Sequence, residues 1–151
     1  MNNSERKLFE DVSSLLATDD GQEERELDVP EKYFPDELIR LTRPIELHLT
    51  LSRKNDRIVA DFQYIIVGTA RCERCLDDFT LRHQGEFTQQ YFLFVAPADE
   101  TDRPMRVLPD RTIEIAEPLR QELLLSLSIR LICKEECLGL CSECGANLNK
   151  E

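Results

Sequence analysis

The sequence predicts an α+β fold, in which an antiparallel β-rich sheet or partly closed barrel is covered by a Leu-rich C-terminal helix and followed by a cysteine-rich tail. Three observations predict this fold. Apolar residues alternate along the middle of the chain, leucines recur at helical spacing over 119–131, and the cysteines fall in two clusters, at 72–75 and 133–144. A chain of 151 residues is long enough to form one domain with its own core.

The N-terminal part carries the weaker signals. Apolar residues at helical spacing predict a short helix over 5–16, and the polar stretch 18–25 predicts a connector. Residues 27–29 belong to a predicted edge strand that ends at Pro30, since proline has no N–H for a ladder. A helical turn or short helix is predicted within 33–41.

The middle of the chain is predicted to be β-structure. Apolar and polar residues alternate over 45–51, which is typical of a half-buried strand, and a turn at 54–56 leads into a second strand over 58–66. A third strand is predicted over 79–95. Because the segment 72–78 separates two long strands, we expect a hairpin with the first cysteine pair at its tip.

The remaining elements are a loop, a strand and a helix. Pro and Asp are frequent over 96–104, which predicts a loop, and a short strand is predicted at 112–115. A helix is predicted to begin at residues 117–118, where proline is tolerated because the first helical N–H groups need no intrahelical partner. Its apolar stripe, predicted to cover the sheet, consists of Leu119, Leu123, Leu124, Leu127 and Leu131.

These elements suggest a division of the chain into three parts. Residues 1–26 form an N-terminal helix and acidic connector, and residues 27–131 form the β-rich core domain with its covering helix. Residues 132–151 form the cysteine-rich tail, which is expected to be zinc-ribbon-like and to pack on the hairpin tip at 72–78.

Composition restricts the possible partners and the compartment. The net charge is −11, which repels phosphate backbones and favours a basic protein over RNA or DNA as a direct partner. The sequence shows neither a secretory signal nor an apolar run long enough to span a membrane, so a cytoplasmic location without membrane contact is expected. In that compartment clustered cysteines indicate metal or redox chemistry rather than structural disulfides.

The spacing of the six cysteines predicts a structural Zn²⁺ site. Pairs separated by two residues can turn both sulfurs toward one metal ion, and two such pairs complete a tetrahedral site. The first predicted ligand set is therefore Cys72, Cys75, Cys141 and Cys144. The alternative is a local set that contains Cys133, Cys137, Cys141 and Cys144.

Other kinds of site receive little support from the sequence. It contains no Ser–His–Asp arrangement, phosphate-binding loop or helical His-Glu-x-x-His motif, so neither an enzyme nor a small-molecule substrate is expected. His48 lies on the polar side of its strand and His83 shares the parity of apolar Leu81, so neither histidine is expected to bind metal.

Two motifs point to a known family. They are Cys72-Glu73-Arg74-Cys75-Leu76 and Cys133-x3-Cys137-x-Gly139-Leu140-Cys141-x2-Cys144-Gly145-x-Asn147-Leu148-Asn149. Together with the Leu-rich helix before the second motif, they resemble the YceD-type large ribosomal RNA subunit accumulation proteins. The resemblance implies a role in accumulation of large-subunit (23S-type) ribosomal RNA, and hence in ribosome biogenesis. It does not imply a molecular action.

Two functional hypotheses follow from these observations. The first is a non-enzymatic assembly factor, an acidic β-rich platform that binds a basic ribosomal protein or a pre-50S particle. Direct RNA contact, which the net charge does not favour, would use the basic residues around the hairpin, namely Arg71, Arg74, Arg82 and His83. The second is a thiol redox protein or sensor that uses its Cys-x-x-Cys pairs.

Overall fold

A computed structural model describes residues 7–34, 39–93, 105–127 and 131–150 of the chain. Within these residues the elements are β1 (Phe9–Asp11), α1 (Ser13–Leu16), β2 (Gln22–Val29), a 3₁₀ turn (Glu31–Tyr33), β3 (Arg40–Leu41), β4 (Ile45–Lys54), β5 (Arg57–Arg71), β6 (Asp78–Phe92), β7 (Met105–Arg106), β8 (Thr112–Glu114) and α2 (Ala116–Leu127). The predicted β-rich α+β fold with a C-terminal helix is confirmed, and the described strands do not close into a barrel.

The main sheet has the strand order β2-β4-β5-β6-β7, and β3 pairs with β5 beyond the end of β4. All pairs in it are antiparallel except β6 with β7. Strands β5 and β6 pair along their whole length, from Arg57 opposite Phe92 to Arg71 opposite Asp78. The predicted hairpin is therefore confirmed, with the first cysteine pair immediately beyond the last rung of the ladder.

One face of the sheet carries the core. Alternation along β4 and β5 buries one set of side chains, and the same cluster contains the buried leucines of α2. Its members include Leu47, Leu49, Leu51, Ile58, Phe62, Tyr64, Ile66, Leu119, Leu123 and Leu127. Helix α2 therefore covers this face, as predicted, although Leu124 of its predicted stripe is exposed. On the opposite face of β2, β4, β5 and β6, which we call the open face, most of the described side chains are exposed or half-buried.

The start of α2 is fixed by a buried carboxylate. Oxygens of Glu114 accept hydrogen bonds from the backbone N–H groups of Ala116 at 2.7 Å and Glu117 at 2.9 Å. These N–H groups have no partner inside the helix, so the carboxylate satisfies them and Pro118 is tolerated in the first turn. Burial raises the pKa of Glu114, although the same N–H donors act in the opposite direction.

The prediction of one helix over 5–16 is wrong for the described residues from Lys7 onward. Phe9–Asp11 forms strand β1, which pairs with β8, and the helix is limited to Ser13–Leu16. Asp11 accepts a hydrogen bond from the N–H of Ser13 at 2.7 Å. Asp and Ser side chains offer the backbone such alternatives to helical bonding, and β8 supplies strand partners that spacing alone does not reveal.

Other boundaries in the N-terminal part also differ from the predictions. The connector predicted over 18–25 is shorter, since β2 already begins at Gln22. In place of the predicted helix within 33–41, the structure shows a 3₁₀ turn that ends at Tyr33 and strand β3 at Arg40–Leu41. Residues 35–38 and the predicted loop over 96–104 lie outside the described residues.

Neither helix in the described part of the chain is long and apolar enough to span a bilayer. The proposed division of the chain at 26/27 and 131/132 stays a prediction.

Candidate metal centre

The first cysteine pair lies in a tight turn, residues 72–77, which we call the hairpin-tip turn. The N–H of Cys72 donates to the carbonyl of Asp77 at 2.8 Å, and the N–H of Leu76 donates to the carbonyl of Cys72 at 3.0 Å. Leu76 has φ of +64°, a left-handed conformation that non-glycine residues seldom adopt. Within this turn the N–H of Arg74 points at the sulfur of Cys72, 3.4 Å away.

The tail reaches this turn through backbone and side-chain hydrogen bonds. The N–H of Glu73 donates to the carbonyl of Leu131 at 2.8 Å, and the guanidinium of Arg74 donates to the carbonyl of Cys137 at 3.3 Å. Gly139 has φ of +77° and passes so close to Arg74 that an added Cβ would lie 3.4 Å from its carbonyl oxygen. These contacts bring residues 131–139 onto the hairpin tip.

Four cysteine sulfurs meet at this junction, and we call the group the four-cysteine cluster. The sulfurs of Cys72, Cys75, Cys133 and Cys137 all lie within 4.8 Å of one another. Two of the separations, Cys72 to Cys137 and Cys75 to Cys133, are 3.7 Å, and all four cysteines are free of disulfides. Four thiolates around Zn²⁺ at about 2.3 Å are separated by about 3.8 Å, so the arrangement could hold a tetrahedral metal ion.

The thiols of the cluster have unequal acidities. Burial by itself raises the pKa of Cys72, but N–H groups of Cys75, Cys133 and Arg74 point at its sulfur and bring the pKa down to about 6. Burial and the neighbouring thiols raise the pKa of Cys133 to about 12. Four closely spaced thiolates repel one another, so full ionisation of this group needs a cation at its centre.

Asn149 is a second source of support for the cluster. Its side-chain N–H donates to the sulfur of Cys137 at 3.3 Å, and its side-chain oxygen accepts from the N–H of Leu138 at 2.9 Å. The bond to sulfur is the main reason that the pKa of Cys137 is lowered. Donors of this kind orient metal ligands and favour their charged form.

Asp77 ties the end of the tail to the hairpin tip. Its carboxylate accepts a hydrogen bond from the amide of Asn147 at 2.7 Å and lies 3.3 Å from the ammonium of Lys150. The sequence placed Asp77 only within the hairpin segment 72–78 and Asn149 only within the second family motif, with no contact predicted for either. The Asn-Leu-Asn sequence that follows the last cysteine was the available signal.

Cys141 and Cys144 lie in a separate turn, residues 141–146, which we call the terminal cysteine turn. They are not members of the four-cysteine cluster. The structure thus joins one half of the first predicted ligand set, Cys72 and Cys75, to the two alternative ligands of the prediction, Cys133 and Cys137. The tail contacts the hairpin tip through residues 131–139, so its first two cysteines, Cys133 and Cys137, lie nearest to Cys72 and Cys75. Which cysteines bind metal stays a prediction.

The basic residues that were predicted for RNA or protein contact do not share one surface. Arg71 and Arg82 are exposed, and Arg74 is engaged with the tail through Cys137. His83 lies on the side of the sheet that α2 covers, with a ring nitrogen 3.3 Å from the hydroxyl of Tyr64, and burial lowers its pKa. Their role in contacts stays a prediction.

Comparison with known proteins identifies the family. The family model described as large ribosomal RNA subunit accumulation protein YceD matches residues 60–151. The chain is also similar to uncharacterized proteins of Mycobacterium bovis and of two Mycobacterium tuberculosis strains, at 27% identity over 110 residues. The match covers 71% of this chain but only 53% of each relative, so the chain spans about half the length of the curated relatives it matches.

No solved structure matches the chain. The matched residues include the hairpin from Ala60 onward, α2 and all six cysteines, and so contain every member of the four-cysteine cluster. The chain belongs to the YceD family of large ribosomal RNA subunit accumulation proteins.

Proposed function

We propose that this protein is a non-enzymatic ribosome-biogenesis factor of the cytoplasm. It supports accumulation of large-subunit (23S-type) ribosomal RNA by binding a basic ribosomal protein, free or on a pre-50S particle. Family membership supports the link to large-subunit ribosomal RNA. We choose a basic protein as the partner because the open face of the main sheet is negatively charged.

This open face forms a groove of about 940 Å³ across β2, β4, β5 and β6. Two adjacent cross-strand rows line it, and they contain Glu26, His48, Gln63 and Glu86 in one row and Asp28, Glu46, Ile65 and Gln84 in the next. We call this surface the acidic groove, since four of these side chains are carboxylates. Among the described residues that line it, His48 is the one basic side chain.

The pairing of like charges in the groove supports a binding role. Asp28 lies directly opposite Glu46 on the neighbouring strand, and both are exposed. Like charges at opposite positions destabilise a sheet by roughly 0.2–1 kcal/mol. Local conflicts of this kind are expected at functional surfaces, where binding compensates for them. A partner with lysine and arginine side chains would remove the conflict.

The same charge argues against RNA as the direct partner. Carboxylates in a concave surface strengthen a negative potential, which attracts a basic protein and repels phosphate. Basic ribosomal proteins therefore fit the acidic groove better than ribosomal RNA does. In this account the RNA accumulates because the protein that binds it is protected or delivered.

The four-cysteine cluster has a structural role in this proposal. A Zn²⁺ ion held by Cys72, Cys75, Cys133 and Cys137 would fasten the tail to the hairpin tip and neutralise part of the thiolate charge. The ion would stabilise the platform and would take no part in a reaction. The S–S separations of 3.7 Å and the N–H donors at the sulfurs support this assignment.

The test uses affinity capture with a groove variant that carries Glu26→Gln, Asp28→Asn, Glu46→Gln and Glu86→Gln. A matched control changes four exposed carboxylates elsewhere, with Asp19→Asn, Asp20→Asn, Glu135→Gln and Glu136→Gln. Each protein is captured from lysate with and without nuclease, and binding to purified large-subunit ribosomal proteins is then measured one by one. The same variants are scored for mature large-subunit RNA in cells that lack the wild-type gene.

We expect the wild-type protein and the control to retain a basic ribosomal protein after nuclease treatment. The groove variant should bind it at least about tenfold more weakly, since four charges are lost from the contact surface. Large-subunit RNA should fall in the groove variant alone. Loss of every partner on nuclease treatment would overturn the protein-partner proposal in favour of RNA.

A further inference from the structure

The terminal cysteine turn repeats the backbone of the hairpin-tip turn. The N–H of Cys141 donates to the carbonyl of Ala146 at 2.8 Å, and the N–H of Gly145 donates to the carbonyl of Cys141 at 2.9 Å. These are the bonds that join Cys72 to Asp77 and Leu76 to Cys72 in the hairpin-tip turn. In both turns the residue after the second cysteine has a left-handed φ, +75° at Gly145 and +64° at Leu76.

The two turns differ in what surrounds their sulfurs. Cys72 and Cys75 are buried beside two further cysteines, whereas Cys144 is exposed and Cys141 is half-exposed. Over residues 7–34, 39–93, 105–127 and 131–150, Cys141 and Cys144 belong to no group of three or more candidate metal ligands. The terminal turn therefore has the backbone of a metal-binding turn and half of the four ligands that a tetrahedral ion needs.

We propose that Cys141 and Cys144 form a half-site for a second metal ion, which is completed by the same two cysteines of a second copy of the chain. A two-fold axis through the ion would bring two thiolates from each copy and so supply four. The four thiols release their protons to solvent as they bind a thiophilic divalent cation such as Zn²⁺. This inference goes beyond the proposed function and does not depend on the acidic groove.

Two observations favour a second copy as the source of the missing ligands. Each copy contributes Cys141 and Cys144, so two copies supply all four ligands without any other donor. Leu138, three residues before Cys141, is an exposed apolar side chain, at 66% of its full area, that a partner at this end would shield. The net charge of −11 on each copy opposes association, so any dimer should form only when the metal links the two copies.

The test measures oligomeric state and metal content on the same samples. Full-length protein is purified under reducing conditions, supplied with Zn²⁺ and examined by native mass spectrometry and by size exclusion with light scattering. The variant Cys141→Ser/Cys144→Ser removes the half-site, and Ser142→Ala, a change at an exposed position in the same turn, is the control. A parallel sample receives a chelator that is then removed by dialysis.

We expect wild-type protein and the control to form dimers with about three Zn²⁺ ions, one in each four-cysteine cluster and one shared. The Cys141→Ser/Cys144→Ser variant should be monomeric with about one Zn²⁺ per chain. Chelation should convert the wild-type dimer to monomers.

Several outcomes would overturn the inference. They are a wild-type monomer with one metal ion, a dimer that survives in the double variant, and a disulfide between Cys141 and Cys144 in the reduced sample. Mixed assemblies in which another cysteine-bearing protein completes the site in place of a second copy would also overturn it. Loss of all metal from the double variant would contradict the proposed ligands of the four-cysteine cluster as well, whereas retention of one ion per chain would leave that cluster intact.

Discussion

The four-cysteine cluster and the acidic groove both bring together groups that can carry negative charge. Nearby groups offset this charge more completely in the cluster than in the groove. In the cluster, N–H groups from Arg74 and Asn149 point at the sulfurs, and the sulfur spacing suits a metal ion. In the groove, Asp28 faces Glu46 across the ladder and His48 is the one basic lining residue described. Glu26 lies 3.8 Å from the ring of His48, and the other three groove carboxylates are not paired with a basic side chain among the described lining residues. Charge that the fold compensates stabilises the fold, whereas charge that it compensates only in part is available to a partner.

The largest expected effect is the loss of metal binding and stability when a ligand of the four-cysteine cluster is removed. Cys72→Ser removes a buried ligand from the four-cysteine cluster, so it should abolish metal binding there and destabilise the protein by about 4 kcal/mol or more. Urea unfolding together with metal analysis measures both effects. Cys144→Ser is the comparison variant, because its sulfur is exposed and outside the cluster, so it should keep the metal of the cluster and lose only the ion shared between copies. Equal destabilisation by the two variants would break the distinction between the two turns.

A smaller effect is expected from the donors that surround the sulfurs. Asn149→Ala removes the N–H that points at Cys137, and changes to such supporting groups typically weaken metal binding by about 10–100-fold. Competition with a chromophoric chelator measures the affinity. Asn149→Asp is an informative second variant, since it places an acceptor with negative charge beside the sulfur and should weaken binding further. Unchanged affinity in both variants would remove Asn149 from the site.

In the acidic groove, removal of one charge should raise the free energy of unfolding. Asp28→Asn removes the like-charge pair with Glu46 and should stabilise the protein by roughly 0.2–1 kcal/mol while it weakens partner binding. Thermal unfolding and the capture assay report the two effects on the same protein. Asp61→Asn is the control, because Asp61 faces Thr88 rather than another acid and accepts its hydroxyl at 2.6 Å. A destabilised Asp28→Asn protein would contradict this interpretation.

The smallest expected effect concerns Glu114, where charge is buried. Its folded pKa is raised above 4.5, the ordinary value, mainly by burial. The folded state therefore holds the proton more tightly than the unfolded state, and this stabilisation is complete below pH 4.5 and lost as the pH rises through the folded pKa. Glu114→Gln should reduce this loss when unfolding is followed from about pH 4, just below the ordinary pKa of the carboxyl, to neutrality. An identical pH profile for both proteins would contradict the assignment.

The sequence predicted the central fold because its signals there are local and repeated. Strands β4, β5 and β6 and helix α2 have clear periods of two or 3.6, and the turn at Asn55, with φ of +50°, joins the first two. Strand β1 was missed because its partner, β8, lies about a hundred residues away and its own residues resemble a helix. The pairing of distant strands does not change the spacing of apolar residues along the sequence, so this spacing cannot reveal it.

The sequence predicted a group of cysteines that could hold a metal ion, and the structure brings together a different group of four from the first predicted ligand set. Which cysteines bind metal stays a prediction. All six cysteines were identified, and the hairpin tip was correctly expected to carry the first pair. Equal spacing suggested that Cys141 and Cys144 would join that pair. The tail instead meets the tip at Leu131, whose carbonyl binds the N–H of Glu73, so Cys133 and Cys137 reach it first. The acidic groove was foreseen only as a net charge, because its cross-strand rows depend on register.

The most direct test of the metal assignment is the absorption spectrum of the Co²⁺-substituted protein in two double variants. The Cys141→Ser/Cys144→Ser protein should keep the thiolate-to-metal bands and the visible bands of one tetrahedral four-thiolate ion per chain. Cys133→Ser/Cys137→Ser should lose the bands of that ion in folded protein and keep at most the weaker bands of the one ion that two copies share through Cys141 and Cys144. The reverse result, with the spectrum lost from the first variant and kept in the second, would contradict the account.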